Sequence, residues 1–196
     1  MASVVDICNS ALNQIGASNI ISLTEDSKAA RICNQRYEFI RDSVFRSHPW
    51  NSLTTRASLS PNSEAPAFEF TKQYTLPTDP FCLRVLSLSE PDVIFRIEGR
   101  KLLCNESSIK MIYVGRVTDV NTYDTLLVEA IAAALAADIA YPLVGSSTLA
   151  ANMYALYQTK LTEARFVDAT EDNHINTSVL TDSRTVAADT FINSRF

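Results

Sequence analysis

Between Leu126 and Tyr141 the chain reads LLVEAIAAALAADIAY, 16 residues in which only Glu129 and Asp138 carry a charge. That is short of the ~20 apolar residues a membrane-spanning helix requires, so the run is expected as a buried core helix. Its alanines let neighbouring helix backbones approach closely. Asn121 and Asp124 are expected to open it, and Pro142 with Gly145 to end it, because proline lacks the N–H that continues a helix.

Three further helices follow from periodicity. Ser3 and Asp6 have capping-box spacing, after which Val4, Cys8, Leu12 and Ile15 recur at helical steps until Gly16 stops them. Ala29, Cys33, Tyr37, Ile40 and Val44 mark the apolar face of a second helix, which Pro49 ends just before Trp50. Leu149, Met153, Leu156, Leu161 and Ala164 predict a fourth, which fades near Asp168. Between the second and third helices the period falls to two. The runs LTTRASL, FEFTKQYTL, FCLRVLSL, VIFRIEG, KLLCN and IKMIYVG read as antiparallel strands, with Val93–Ile97 and Lys101–Cys104 paired as a hairpin across the EGRK turn. The expected fold is therefore α+β. It is a four-helix bundle (helices about 3–16, 26–47, 122–141 and 147–168) with an inserted small antiparallel β-sheet (about 52–114) and an extended C-terminal arm, 169–196.

The chain has 196 residues, of which 46% are hydrophobic and 20% charged, enough for a single soluble domain that buries roughly 70% of its unfolded surface. The net charge of −5 gives no positive field with which to hold phosphates, which argues against tight DNA binding. The opening MASVVDICNS lacks the basic segment of a secretory signal, so a cytosolic site of synthesis is expected. Cys8, Cys33, Cys82 and Cys104 are widely spaced, and only His48 and His174 could join them, so neither a zinc site nor a disulfide scaffold is expected. Cys8 and Cys33 fall on apolar helix positions and read as small buried hydrophobes.

The last 28 residues, Ala169 to Phe196, show no sustained apolar period and are rich in Thr, Ser, Asp and Asn. They still carry isolated large apolar residues: Ile175, Val179, Leu180, Val186, Phe191, Ile192 and Phe196. A purely solvating tail has little reason to keep such side chains, so together with Arg184 and Arg195 they are expected to grip another subunit or a portal. A frayed terminus is the alternative.

Several segments resemble one known family. They are ALNQIGASNIISLTED at the start, FRSHPWNSLTTRASL at the end of the second helix, YTLPTDPFCLRVLSL in the sheet, IYVGRVTDVNTYDTLLVEAIAAALAADIAYPL at the sheet-to-helix junction, and LTEARFVDATED near the arm. In order and spacing, from about residue 5 to 172, they resemble the tail tubular protein A family, the head-to-tail adaptors of podoviruses. The resemblance implies a viral structural protein of the virion tail or neck. It would form a dodecameric ring below the portal protein, with DNA passing through the central channel and a tail nozzle docked underneath. No cofactor, metal, membrane or sequence-specific DNA contact is implied.

The remaining marked residues have architectural readings. Trp50 is expected to seal the helices against the sheet. Pro77 sets a turn in YTLPTD, and Asp79 is expected to bond nearby backbone amides. Asp119, Asn121 and Asp124 gather at the start of the third helix, where carboxylates complement orphan amides; a cation site is the alternative. No HExxH, GxSxG, GxxxxGK[ST] or GxGxxG motif is present, and the chain has only four glycines. The chain is therefore not expected to be an enzyme. The alternatives are another tail-completion or nozzle-associated protein and a small hydrolase using a carboxylate pair such as Glu64 and Asp79.

Overall fold

The computed structural model describes residues 3–90 and 92–171. Among the described residues there are four α-helices: α1 (Val4–Gln14), α2 (Lys28–Arg46), α3 (Thr125–Val144) and α4 (Ser147–Glu171). Between α2 and α3 run six strands: β1 (Thr54–Leu59), β2 (Lys72–Thr75), β3 (Phe81–Leu88), β4 (Arg96–Glu98), β5 (Lys101–Cys104) and β6 (Ile109–Arg116).

The helix starts follow capping chemistry. Ser3 and Asp6 form a reciprocal capping box on α1, and the Ser27 hydroxyl accepts the Ala30 N–H at the start of α2. Asp124 accepts the N–H groups of Leu126 and Leu127, so α3 begins at Thr125 and not at 122. Residues Val120–Thr122 are drawn instead into a separate 3-10 turn, and Asp119, which precedes it, caps it by accepting the Asn121 N–H.

The expected four-helix bundle does not form. In such a bundle each helix packs on two neighbours across a shared seam. Here α1, α2 and α4 all pack on α3, whereas α1 and α2 meet at few positions. The reason lies in α3 itself, which is apolar around its whole circumference. Every residue from Ala130 to Ala136 is buried, so it acts as a central axis and not as one wall of four. By length and composition α3 could cross a membrane, but its apolar surface is largely taken up by its neighbours. The side chains of Leu53, Leu83 and Val114, from the sheet side, complete the same core.

Pro142 does not end α3. The helix continues to Val144, and Gly145, at φ +76°, closes it with its N–H bonded to Tyr141 O at 2.8 Å. Near a C-terminus a proline forfeits one hydrogen bond without blocking the last turn, and Lys28 Nζ donates to the Pro142 carbonyl at 2.5 Å. After Ser146 the chain folds back as α4, 25 residues long. α4 is helical through Glu171, the last described residue, so Ala169–Glu171, expected in the arm, belong to it; no glycine or proline interrupts the chain there.

The expected single sheet is two three-stranded antiparallel sheets, ordered β1-β6-β3 and β2-β5-β4. The expected hairpin forms as β4–β5 across Gly99 at φ +56°, with Ile97 opposite Leu102, but its first strand is Arg96–Glu98 and not Val93–Ile97, because residues 93–95 do not join the ladder. The split has a physical cause in β6, which buries apolar side chains on both faces although Lys110 and Arg116 share the alternation of Val114. Its Val114 joins the helical core, while Ile109, Met111 and Tyr113 join a second core with Tyr74, Leu76, Cys82 and Leu102. A strand covered on both sides needs a layer on each side. The first sheet therefore lies between the helices and the second sheet.

Candidate interaction site at the root of the C-terminal arm

The segment that joins α2 to β1, Ser47–Leu53, receives the last two turns of α4. Trp50 is fully buried in the helical core, and its Nε1–H donates to Val44 O at 3.1 Å, so the indole's one polar group is satisfied. The ring lies between α2 and the first sheet, and the His48 imidazole packs against it edge-on with centroids 4.8 Å apart.

Asp168 closes this joint. Its carboxylate accepts the Asn51 backbone N–H at 3.0 Å and lies 3.1 Å from His48 Nε2, while its own carbonyl accepts Asn51 Nδ2 at 2.8 Å. One turn earlier Arg165 donates to Ser47 O at 3.1 Å. An ionised carboxylate only accepts, so His48 donates through Nε2. Burial lowers the pKa of His48, working against the opposing pull of Asp168. The imidazole is thus held neutral as a hydrogen-bond donor at neutral pH. The arrangement ties the Arg165–Asp168 turn of α4 to the Ser47–Leu53 segment, because Ser47, His48 and Asn51 all bond to that one helical turn.

A second set of charges ties α2 to the first sheet. Asp42 pairs with Arg41 at 3.0 Å and with Arg116 of β6 at 2.5 Å, and buried Arg41 lies 5.8 Å from the Tyr37 ring centre and 5.9 Å from that of Phe45. The Cys8 and Cys33 thiols interact between α1 and α2, where the partner thiol and burial push Cys8 up and the same partner draws Cys33 down. Cys82 and Cys104 are buried in the second core.

The residues marked in the sequence are placed as follows. Trp50 occupies the joint expected of it, between helix and sheet. Asp119 and Asp124 are caps, their carboxylates already engaged by backbone amides. Among the described residues, no cluster of three or more His, Cys, Asp or Glu side chains is placed to hold a metal ion. Pro77 lies in the turn that precedes β3, but that turn is closed by the Cys82 N–H bonding to Pro77 O at 3.0 Å. Asp79 is exposed there and makes no side-chain hydrogen bond among the described residues, because the turn meets its own backbone needs. Glu64 and Asp79 are both exposed loop residues. The arm residues Ile175, Val179, Leu180, Arg184, Val186, Phe191, Ile192, Arg195 and Phe196 lie outside the described residues.

Sequence reading missed Asp168, Asn51 and Arg165. A signal existed in the stripe Leu161, Ala164, Asp168, where a carboxylate takes the next inward position of an apolar face. A carboxylate at such a position calls for donors from elsewhere in the fold. No protein-family model matches the chain, and no curated protein matches it significantly.

Proposed function

We propose that this chain is a structural protein of the virion neck, a head-to-tail adaptor of the tail tubular protein A type. Copies form a ring, dodecameric in the virion, between the portal protein and the tail nozzle, and DNA passes through its channel. The observation that carries this reading is the joint at Asp168. A long helix is clasped to the α2–β1 segment by the hydrogen bonds of Asp168, shortly before a 25-residue segment with scattered large apolar residues begins. A segment of that composition gains little by lying on its own domain and more by filling pockets on a partner, since ordering each residue costs about 1–2 kcal/mol of backbone entropy. The net charge of −5 fits a channel along which DNA slides without sticking, because there is little counterion release to reward contact.

The experiment is truncation after Glu171. The remaining body keeps every contact of the joint and is expected to stay folded, by circular dichroism and a cooperative melt, while losing binding to the portal ring. Portal binding at full strength by the truncated protein would reject the arm's role.

A further inference from the structure

The first sheet and the second meet the end of α2 at an open cleft of about 500 Å³. Its cations are Arg46, at the end of α2, Arg84, on β3, and Arg100, in the β4–β5 turn, and its apolar lining includes Leu76, Phe81 and Ile97. Among the described residues no acidic side chain lines it, although acids outnumber bases in the chain by 22 to 17. The guanidinium groups are held by backbone. Arg46 donates to Leu83 O, Arg84 donates to Arg46 O at 3.2 Å, and Arg100 donates to Cys82 O and Pro77 O, both at 2.6 Å, while lying 3.9 Å from the centre of the Phe81 ring. By contrast Arg31, Arg36, Arg41, Arg96 and Arg116 each pair with a carboxylate. Among the described residues, Arg46, Arg84 and Arg100 have no such partner. Three like charges fixed in place around an apolar floor repel one another, and an anion entering between them relieves that repulsion.

The complementary surface is on the same chain. β3 leads away from the cleft to Glu90, and β5 leads from Arg100 to Glu106. At that far end Glu90, Asp92 and Glu106 surround a second open hollow of about 470 Å³ with Ile94, which is 79% exposed. None of these three acids has a basic partner among the described residues. At about 3.3 Å per residue the two surfaces lie roughly 15–25 Å apart along the strands, too far to meet within one molecule.

We infer that the arginine cleft receives the edge of a second copy of this chain that carries Glu90, Asp92 and Ile94, with the carboxylates on Arg46, Arg84 and Arg100 and Ile94 over the Phe81 floor. The two faces differ, so the contact is head-to-tail, the kind that generates a closed ring when its rotation closes. The inference rests on the ring-forming reading above and names the surfaces that join its subunits.

The test is sedimentation and native mass spectrometry of the full chain over a range of concentrations and salt, with two variants. One carries Arg84→Glu and the other Glu90→Lys with Asp92→Lys. All these sites are exposed, and folding is verified by melting temperature. The wild type is expected to self-associate, less so in high salt. Each variant alone should associate at least about tenfold more weakly, and an equal mixture of the two should recover association, because each supplies the charge the other now lacks. A wild type that stays monomeric throughout overturns the inference, as does association unaffected by either variant or not recovered on mixing. Two other occupants give different results, and each overturns it. If the C-terminal arm fills the cleft, deleting residues 172–196 abolishes association and the Glu90 and Asp92 changes do nothing. If duplex DNA fills it, Arg84→Glu lowers DNA retention and leaves association intact. Portal binding is scored separately. A monomer that binds portal removes this contact and leaves the adaptor reading standing, whereas self-association without portal binding does the reverse.

Discussion

Asp168 and Asn51 are 117 positions apart in the chain, and the carboxylate of the first accepts the backbone N–H of the second at 3.0 Å. That contact joins the end of the last helix to the start of the first strand. Both residues bond a second time through Asn51 Nδ2, so the pair acts as a two-point clasp. The clasp has a consequence for stability. Asp168→Ala leaves the part-buried Asn51 amide and the His48 imidazole without their acceptor, and should cost about 1–3 kcal/mol. Urea unfolding measures it; a loss well under about 0.5 kcal/mol would show that the clasp contributes little.

The joint should also respond to pH. Burial holds the His48 pKa below its ordinary value of about 6.5, while Asp168 pulls it up and Arg165 and Arg84 push it down. The unfolded chain therefore binds this proton more tightly than the folded one. The stability contributed by neutral His48 is complete above about pH 6.5 and is lost as the pH falls through that value toward the lower folded pKa. Melts compared at about pH 7.5 and about pH 5.5 should show a slope that His48→Asn flattens. An identical slope in the variant would contradict this.

Two aspartates that look alike in sequence should behave differently. Asp124 caps α3 through two backbone amides, so Asp124→Ala is expected to cost about 0.5–2 kcal/mol. Asp79 is exposed and unbonded among the described residues, so Asp79→Ala should stay within about 0.5 kcal/mol. Chemical denaturation of both variants decides the point.

The central helix leaves no room for larger side chains. Ala136 is fully buried among the helices, and Ala136→Leu should cost about 1–3 kcal/mol by overpacking. Trp50→Ala, which opens a cavity at the helix–sheet joint, should cost about 3–5 kcal/mol. Thermal melts that rank these two above the Asp79 change would fit the account.

What could be read from the sequence was mostly local. The capping box of α1, the Gly99 turn and the strand runs depend on neighbours along the chain, and the structure has them, although the runs at 68–76 and 93–99 are strand only at Lys72–Thr75 and Arg96–Glu98. The arrangement depended on how many sides of an element are apolar. The alanines of α3 read as permission for close packing, but their distribution around the whole helix, which makes α3 an axis for three partners, is what replaced the bundle. In the same way the apolar residues at both parities of β6 required a second layer, which became the second sheet. On α2 the apolar period placed Cys33, Tyr37 and Val44 inside, where they are, but Ala29 and Ile40 are only partly buried while Ala30, Arg41 and Phe45 are buried, since Asp42 and the aromatic rings give Arg41 a place inside. Asp168 stayed hidden because its donors come from a loop more than a hundred residues earlier.

The most direct test of the adaptor reading is the mass of the complex formed when the purified full-length chain is mixed with its portal ring. The account predicts a complex in which a ring of copies, twelve by the family resemblance, sits on one portal. A portal that keeps its own mass in the presence of excess chain would contradict it.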